Sequence, residues 1–527
     1  MAETAAAAAL SGAICVADAG LQPSPMSAET GIPMPTNNGR PNILFILADQ
    51  HRADCLGAYG NPELRSPHLD TLAADGVRFT NAFCSFPVCT PSRYSILSGL
   101  HVHEHRGWTN HCTLPPGTDT FPAMLKAAGY RTTAVGKMHF TPTYFDVGFE
   151  RMMLAEQDGP GRWDDDYHRD LRDAGLVDAV DLEDQRSEYR QKARPEYWEH
   201  LGAVVSNLPA EYHTTEWIGR KALDELGEWG PGGNLLMVGF VKPHHPFDPP
   251  LEWCDAYDPE RTSLLPGWTP ECFAHDLALH RGYFPHETLT ESAVRRATAY
   301  YYATIEHMDL QIGRMIDLLK SKGLYENTLI IYTSDHGEYM GFHHLMLKGN
   351  YMYDPLVRVP LIIKYPAGRG RGVVSDVLTS NVDLAPTLLR AAGVSPSRQM
   401  HGYDLANSEK TREVVFAESG RGCTMARSGR YKIILDAPNK RSFFYDLQRD
   451  PHECVNRYDD PTCGDDRVAL ESALRGWRDP ELKSDVYLDL NAPVISGPNV
   501  PPRDNSHRAA IIKYYEEKMA EWAERSA

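Results

Sequence analysis

The stretch NILFILADQ, residues 42–50, is an apolar run that ends in an acid and an amide. Because polar and apolar residues do not alternate in it, it predicts a parallel strand that is buried on both faces. Such strands build α/β folds, in which ligands bind beyond the carboxyl ends of the strands. Asp49 and Gln50 stand at that end. The stretch therefore predicts both the type of sheet and the edge at which a site would lie.

Similar apolar runs recur along the chain and alternate with helical patterns. Further strands are predicted over residues 77–83, 132–135, 235–241, 328–333 and 359–364. Helices are predicted over residues 66–76, 121–128, 292–322 and 383–392. The first of these helices has Ser66 as its N-cap and ends near Gly76. The alternation predicts a doubly wound, mostly parallel sheet with helices on both faces.

The chain divides into four predicted parts. Residues 1–38 are rich in Pro, Ser and Ala and are expected to form a disordered extension. Residues 39–407 are expected to form the main α/β domain. Within residues 408–490, RYKIIL and SFFYDL predict short strands of a smaller α+β domain with an antiparallel sheet. Residues 491–527 are expected to be a tail that ends in an amphipathic helix over Ala509–Ala527.

Two charged and aromatic segments interrupt the main domain. They span residues 151–212 and 250–288, and we expect them to form lids or subunit contacts. Aromatic residues are frequent in the first segment, namely Trp163, Tyr167, Tyr189, Tyr197 and Trp198. They could stack on a sugar or a cation, although packing against the main domain is favoured.

The composition excludes several classes of function. The 527 residues carry 53 Lys and Arg against 71 Asp and Glu, a formal charge of −18. Such a chain lacks the basic surface that general nucleic-acid binding needs, so no nucleic-acid partner is expected. No apolar run approaches ~20 residues, so no membrane span is expected.

The cysteines and the N-terminus bear on the compartment. Ten cysteines without a C-x-x-C pair predict reduced, unpaired thiols. A secretory signal begins with a positive segment, whereas Glu3 stands there. A cytoplasmic location is therefore favoured, with export or a periplasmic location as the alternative.

Polar side chains follow four of the predicted strands. They are Asp49 and Gln50, then Lys137 and His139, then His244, and finally Asp335 and His336. One polar residue at a strand end is routine in α/β proteins. Four strand ends in succession predict one shared site.

Asp49, Gln50, Asp335 and His336 form a candidate metal site. Carboxylate and amide oxygens suit a hard cation such as Ca²⁺, Mg²⁺ or Mn²⁺, and the imidazole favours Mn²⁺ or another transition metal. Either acid could instead cap a helix at a strand–helix turn. Gly337 follows the acid and the imidazole and allows a close approach of the backbone, which favours the metal site.

Cations and histidines complete the candidate site. Arg93, Lys137 and Lys348 could hold a tetrahedral anion and, with a metal, offset charge on a transferring sulfuryl or phosphoryl group. The alternative for a lysine is solvated surface charge. His139 and His244 are candidates for proton transfer near neutral pH, with a structural role as the alternative.

Cys89 stands in the segment FPVCTPSRYSILSG, residues 86–99, just before a helical pattern. A free cysteine is most often a small buried hydrophobic residue. The functional alternative is a thiolate nucleophile beside a helix N-terminus and Arg93. Neither interpretation explains why this residue should share a site with ligands for a hard metal.

These motifs together resemble the sulfatase family of the alkaline-phosphatase-like superfamily. Cys89-Thr90-Pro91-Ser92-Arg93, with Leu97 and Gly99, matches the signature C-x-P-S-R-x-x-x-L-x-G. The resemblance extends to about Asn456 through NILFILADQ, GKMH, VKPHHPF, SDHGEYMG, Lys348, RVPLII and YDLQRDPHE. It implies an alkaline-phosphatase-like fold and the metal-dependent hydrolysis of sulfate monoesters.

The resemblance also implies a mechanism. Cys89 is converted to Cα-formylglycine (3-oxoalanine) by a formylglycine-generating enzyme, and its hydrate attacks sulfur beside the metal and Arg93. Cys89 thereby joins the implied metal ligands. His244 or Lys348 protonates the leaving alcohol. His139 helps to release sulfate, and Lys137 bridges formylglycine and sulfate. One divalent ion is implied, with Ca²⁺ preferred over Mn²⁺ or Mg²⁺, and a homo-oligomer is left open.

The sequence departs from the common family pattern at a few positions. Asp49-Gln50 replaces the frequent Asp-Asp pair and resembles choline sulfatases and phosphonate monoester hydrolases. Asn110 resembles a substrate-contacting asparagine of the phosphonate hydrolases. A phosphonate monoester or phosphodiester hydrolase is therefore the alternative, although that group typically lacks Lys137 and His139. A pseudo-enzyme that binds metal or sulfated ligands is a second alternative. The alcohol part of the substrate, whether aryl, choline-like or carbohydrate, is not readable from the sequence.

Overall fold

A computed structural model describes residues 39–277, 284–349, 351–407, 411–420, 422–437, 439–478, 482, 485–502 and 508–526 of the chain. The predicted extension over residues 1–38 lies outside the described residues. All structural statements below concern the described part.

Fourteen strands form three sheets in this part of the chain. They are β1 (Asn42–Asp49), β2 (Val77–Phe79), β3 (Ala82–Phe83), β4 (Arg131–Gly136), β5 (Arg151–Leu154), β6 (Asn234–Pro243), β7 (Thr328–Ser334), β8 (Leu361–Lys364), β9 (Val373–Ser375), β10 (Thr379–Ser380), β11 (Val415–Glu418), β12 (Cys423–Arg427), β13 (Tyr431–Asp436) and β14 (Arg441–Asp446).

The helices that accompany these strands include one of 31 residues. They are α1 (Pro67–Asp75), α2 (Cys89–Ser98), α3 (Val102–His105), α4 (Phe121–Ala127), α5 (Asp166–Asp173), α6 (Ala179–Gln185), α7 (Ser187–Arg190), α8 (Pro195–Glu199), α9 (Thr214–Gly227), α10 (Ala274–Leu277), α11 (Glu291–Ser321), α12 (Asp354–Val357), α13 (Leu384–Ala391), α14 (Gly464–Trp477) and α15 (Arg508–Ser526).

The main sheet has eight strands in the order β5-β4-β6-β1-β7-β8-β2-β9. Every pairing from β5 to β7 is parallel, and β8 alone runs antiparallel to its neighbours. Strand β1 lies in the middle and is buried along its whole length, as its unbroken apolar run predicts. One hydrophobic cluster covers each face of the sheet. The predicted doubly wound, mostly parallel α/β fold is confirmed.

Two details of the predicted strands are wrong. The run over 77–83 is not one strand, because β2 joins the main sheet while β3 pairs with β10 in a separate two-stranded sheet. The segment over 151–212 is not wholly an insertion, because its first residues form β5, an edge strand of the main sheet. Strands of two to four residues are too short to show a period, which explains both errors.

The C-terminal strands form a separate antiparallel sheet in the order β11-β12-β13-β14. Buried Lys432 on β13 bonds Asp354 at the start of α12 (2.5 Å) and Glu453 (2.7 Å). This buried ion network joins the smaller sheet to the first residue of α12. The boundary at residues 407–408 between two domains stays a prediction.

The insertion over 155–212 packs against the rest of the protein through its aromatic side chains. Trp163, Tyr167 and Tyr197 are buried. Helix α15 covers Trp163 and Leu182 from outside through Tyr515 and Met519. The preference for packing over an exposed stacking surface holds for these aromatic residues.

Nine cysteines lie in the described residues, and all of them are free thiols. No helix among the described residues combines the length and the apolar character that crossing a membrane requires.

Candidate active site

The carboxyl ends of β1 and β7 and the start of α2 meet at one buried point. Asp49, Cys89, Asp335 and His336 each offer one ligand atom there, and these four atoms lie within 4.8 Å of one another. All four residues are buried. Parallel neighbours β1 and β7 end at the same edge of the sheet, which is why two acids distant in sequence come together.

The ring of His336 is oriented toward this point. Its Nδ1 lies 2.9 Å from the carbonyl oxygen of Gly337, which can only accept a hydrogen bond, so Nδ1 carries the proton. Nε2 therefore faces the cluster, 3.7 Å from Asp49 Oδ1 and 3.8 Å from Asp335 Oδ1. This is the tautomer that metal-binding histidines adopt.

Gln50 borders the cluster in a left-handed backbone conformation, with φ of 65°. Its main-chain N–H donates to Asp335 Oδ1 (3.1 Å), and its side-chain Nε2 donates to Glu338. Its Oε1 accepts a hydrogen bond from Lys348 (2.9 Å). Glu338 therefore sets the orientation of the amide, so that its oxygen faces the site.

Cys89 is the first residue of α2 and is buried in a ring of charged groups. Its Sγ lies 3.3 Å from His336 Nε2, 3.3 Å from Lys348 Nζ and 3.6 Å from Asp49 Oδ1. Burial alone would raise the pKa of the Cys89 thiol, but Lys348, Lys137 and His336 together hold it well below its usual value. Position 89 is thus built to carry negative charge.

Arg93 lies one turn along α2 from Cys89, and each of its three guanidinium nitrogens donates to a protein group. It donates to Asp335 Oδ2 (2.8 Å), to Asp49 Oδ2 (3.0 Å) and to the carbonyl of Lys137 (2.5 Å). The sequence makes Arg93 a candidate for holding the reacting anion beside the group at position 89. In the structure Arg93 bridges the two carboxylates of the cluster, and its role toward a substrate stays a prediction.

Lys137 and His139 follow β4 and face the same site. Lys137 Nζ lies 2.7 Å from Asp49 Oδ2. The ring of His139 is buried, and among the described residues neither of its nitrogens has a hydrogen-bond partner. The charged group facing its Nε2 is Asp158, at 4.0 Å. A buried imidazole without a hydrogen-bond partner in the described protein can form hydrogen bonds with a substrate.

His244 and Lys348 form a hydrogen-bonded pair beside Cys89. Nδ1 of His244 lies 2.6 Å from the carbonyl of His245 and so carries the proton, which leaves Nε2 to accept from Lys348 Nζ (2.8 Å). Burial, then Lys348, lowers the pKa of His244 well below its usual value. Lys348 contacts both Cys89 and Gln50, so the pair spans the site from the cysteine to the strand end.

Asn110 is close to the nucleophile position. Its Oδ1 accepts a hydrogen bond from the main-chain N–H of Thr90 (3.1 Å), the residue after Cys89. The structure therefore brings together all the site residues predicted from the sequence. Their individual roles stay predictions.

Several supporting residues were not identified from the sequence. Glu156 accepts from the main-chain N–H groups of Met138 and His139, Gln157 accepts from Lys137, Glu338 accepts from Gln50, and Asn381 donates to Ser92. Glu338 lies within the motif SDHGEYMG, whereas Glu156, Gln157 and Asn381 lie outside the motifs quoted above. For Glu156 and Gln157 the available signal is that they directly follow the apolar run over 152–155.

Comparisons with known proteins agree with this geometry. A family model described as Sulfatase matches residues 41–394, and one described as N-sulphoglucosamine sulphohydrolase, C-terminal, matches residues 341–479. The sulfatase YidJ of Escherichia coli is 30% identical over 467 residues, 84% of this chain and 87% of that protein. The arylsulfatase of Clostridium perfringens is 30% identical, covering 79% and 90%. The choline-sulfatase of Rhizobium meliloti is 28% identical, covering 84% and 86%.

Solved structures share the fold. The phosphonate monoester hydrolase of Agrobacterium radiobacter superposes with a TM-score of 0.69 at 24% identity, covering 83% of this chain and 96% of that one. A structure bound to D-glucosamine-2-N,6-O-disulfate superposes with a TM-score of 0.63 at 22% identity, covering 84% and 98%. At such identities these likenesses establish a shared fold alone.

Proposed function

The chain belongs to the sulfatase family and is an enzyme that hydrolyses sulfate esters, and we propose that it acts through a formylglycine made from Cys89 and one divalent cation. The observation that carries the proposal is the position of Cys89. It lies at the start of a buried helix, inside the signature CTPSR, among two carboxylates, an imidazole and a lysine. A structural cysteine has no need of such surroundings.

The chemistry of the donor set fits a divalent cation. Two buried carboxylates and an imidazole converge, and the amide oxygen of Gln50 lies at the rim, which matches the preference of Ca²⁺, Mg²⁺ or Mn²⁺. Asp49, Asp335, His336 and Gln50 would hold the ion, with the group at position 89 beside them. When bound, the ion would offset negative charge on the sulfuryl group.

Formylglycine supplies what a thiol beside a hard metal would not. Its hydrated aldehyde offers an oxygen nucleophile, and oxygen is the donor that hard cations prefer. The low pKa of the thiol at position 89 and the cations around it support the same conclusion, since they favour an anionic group there.

Some of the remaining residues act on the sulfate group, and others act on the leaving alcohol. Lys137, which forms an ion pair with Asp49, binds the negatively charged sulfate group through its own positive charge. The Lys348–His244 pair stands beside Cys89 and shares a proton, so it supplies the proton that the leaving alcohol takes up. His139, whose ring nitrogens have no hydrogen-bond partner among the described residues, accepts a proton as sulfate is released.

Sulfate monoesters are the proposed substrates, and phosphonate monoesters are the second candidate. The presence of Lys137 and His139 at the site favours sulfate. The placement of Asn110 beside Thr90 favours a site that also accepts phosphonates, because that asparagine resembles a substrate contact in the phosphonate hydrolases. Since relatives are named for aryl, choline and N-acetylglucosamine sulfates, the alcohol is to be found by assay.

Two measurements test the proposal. The protein is co-expressed with a formylglycine-generating enzyme, and the peptide containing Cys89 is weighed by mass spectrometry. We expect the residue at position 89 to be converted. Rates are then compared on aryl, choline and N-acetylglucosamine sulfates and on an aryl phosphonate. We expect turnover of at least one sulfate ester above that of the phosphonate. An unconverted cysteine with full activity would contradict the mechanism, and much faster phosphonate cleavage would contradict the substrate class.

A further inference from the structure

Gln157 is a buried amide that joins two separate parts of the site. Its Oε1 accepts a hydrogen bond from Lys137 Nζ (3.1 Å). Its Nε2 donates to Asp181 Oδ1 (2.7 Å) and to the main-chain carbonyl of His245 (2.9 Å). A lysine can only donate, whereas a carboxylate and a carbonyl can only accept. Only one orientation of the amide therefore satisfies all three contacts.

The first contact acts on the cation that faces sulfate. Lys137 Nζ is placed by two protein groups, the carboxylate of Asp49 and the oxygen of Gln157. A lysine has a long flexible side chain and a point charge, so its position depends on such partners. Without the amide oxygen, Asp49 alone would hold Lys137, and Asp49 is also a candidate metal ligand.

The second contact acts on the proton-transfer pair. The carbonyl of His245 accepts from Gln157 (2.9 Å), from Gln185 Nε2 at a longer distance (3.2 Å), and from Nδ1 of His244 (2.6 Å). That bond leaves Nε2 of His244 facing Lys348. The rings of His244 and His245 are stacked, with centroids 4.1 Å apart. The orientation of this carbonyl therefore decides which nitrogen of His244 faces the site.

Helix α6 fixes the amide from behind. Asp181 on α6 accepts from Gln157 and from buried Arg162, and Asp184 one turn later accepts from His245 Nδ1. The opposite face of α6 is held by α15, whose Trp522 donates to Glu183 (2.9 Å). The partner of the Gln157 amide therefore lies on a helix that is itself packed against α15.

We propose that Gln157 is a positioning residue that sets, through one amide, both the sulfate-holding Lys137 and the proton-transfer pair His244 and Lys348. The inference rests on the proposed function for the meaning of these two groups. It extends that function by naming a residue outside the family motifs on which both halves of the reaction depend.

The test replaces Gln157 by glutamate, which has the same shape but cannot donate to Asp181 or to the carbonyl of His245. The variant Q157M, which removes the polar atoms without adding charge, covers the case in which a buried charge impairs folding. Q191E makes the same chemical change at an exposed position of the same insertion and is the matched control.

We expect kcat to fall about 10- to 100-fold in Q157E and Q157M, as is typical when a supporting partner of a site is lost, while thermal melting shows folded protein. The loss should be at least about threefold larger for phenyl sulfate than for 4-nitrophenyl sulfate, because the poorer leaving group depends more on proton donation. Q191E should match the wild type on both esters. A residue with a merely structural role would not change the ratio between the esters.

A crystal structure of Q157E gives a readout that does not depend on activity. We expect Lys137 to move away from Asp49 or His244 to turn away from Lys348. Unchanged positions of both side chains, or equal losses on the two esters, would overturn the inference. If the wild type cleaved no sulfate ester, the proposed function would fail, and the variant structure would still decide whether the amide positions these groups.

Discussion

The buried charges of the site are paired with one another, and Arg93 is the clearest example. Two carboxylates, Asp49 and Asp335, are buried within reach of one imidazole. Burying unpaired charges would cost several kcal/mol each, so the chain supplies a cation between them. Arg93 forms this bridge, and Lys137 adds a second contact to Asp49. The site can therefore keep its shape before any metal binds.

Changing Cys89 tests whether the group at this position is the nucleophile. The variant C89S replaces the thiol by a hydroxyl of similar size, so the fold should be retained. We expect kcat on any active sulfate ester to fall at least about a thousandfold, as happens when a nucleophile is removed. Activity assays and thermal melting of the same preparation check both parts. C454S, at an exposed thiol, is the control and should match the wild type. Near-normal activity in C89S would rule out the role.

Removing the metal tests the candidate ligands. Exhaustive treatment with a chelator should abolish turnover and leave the protein folded, because Arg93 and Lys137 still pair the carboxylates. Adding back metal at a hundred times its Kd should stabilise the fold by about 2.7 kcal/mol, seen as a rise in Tm. Ca²⁺, Mn²⁺ and Mg²⁺ added one at a time identify the ion that restores activity.

The variant D335N is the control for metal removal, since it lacks one carboxylate charge of the site. Its Tm should respond much less to added metal than that of the wild type. Full activity in a preparation shown to be free of metal by elemental analysis would refute the metal site.

The sequence predicted those site residues that stand in an unusual local pattern, such as an acid directly after an apolar strand. Asp49, Asp335 and His336 follow apolar strands, and Cys89 lies in a short signature. Gln157 and Glu156 could not be found in this way. Glutamine and glutamate are common on protein surfaces, and their contacts arise only when distant loops meet. The ion pairs of Arg93 with Asp49 and Asp335 could not be predicted for the same reason, since they depend on the packing of α2 against β1 and β7.

At the scale of elements, long apolar runs gave reliable predictions and short edge strands did not. Strand β1 is buried along its length and pairs with β6 and β7, so its pattern is unbroken. Strands β5 and β9 have four and three residues and lie at the two edges of the sheet, where one side is unpaired. Their sequences need not be apolar throughout, and the periodicity is too short to detect.

The N-terminus of α1 shows an element whose boundary was predicted correctly but for an incomplete reason. Ser66 is the N-cap residue, yet its side chain does not cap the helix. Instead Asp309 on α11 accepts from the main-chain N–H groups of His68 (3.1 Å) and Leu69 (2.7 Å). The cap is supplied by a residue 240 positions away in sequence, which no local pattern reveals.

Removing this distant cap should destabilise the protein. In D309A two N–H groups in a buried region lose their acceptor, which costs about 1–3 kcal/mol of unfolding free energy. Denaturant unfolding followed by circular dichroism measures the change. D317A, at an exposed position of the same helix, should change stability by no more than about 0.5 kcal/mol. Equal stabilities of D309A and D317A would show that the cap contributes nothing.

At the scale of the whole molecule, C-terminal residues return to support the site. Lys432 ties the smaller sheet to Asp354, six residues after Lys348. Helix α15 packs on the insertion that carries Gln157 and Asp181. The helical pattern of the tail predicted α15 itself. Its partner could not be predicted, because an amphipathic face shows that a surface is covered without showing which surface it is.

Tyr515 provides the sharpest test of this long-range support. It is 1% exposed and packs edge-on against Trp163, with ring centroids 5.0 Å apart. Truncation in Y515A removes this packing, and the docking of α15 should weaken by about 3–5 kcal/mol. We expect limited proteolysis and hydrogen exchange to increase over residues 160–190. We also expect kcat to fall, because α6 and its Asp181 become more mobile when α15 no longer packs against the insertion. The core strands β1, β6 and β7 should keep their protection.

The matched control for this prediction is Y515F. Among the described residues, the hydroxyl of Tyr515 has no hydrogen-bond partner, so its removal should leave stability unchanged or slightly raised. If residues 160–190 of Y515A keep their protection against hydrogen exchange and proteolysis, the insertion is stable without the packing of α15. A loss of protection throughout the chain would mean that α15 is part of one cooperative unit with the sheet. Only a local loss that lowers kcat agrees with a C-terminal helix that supports the active site through α6.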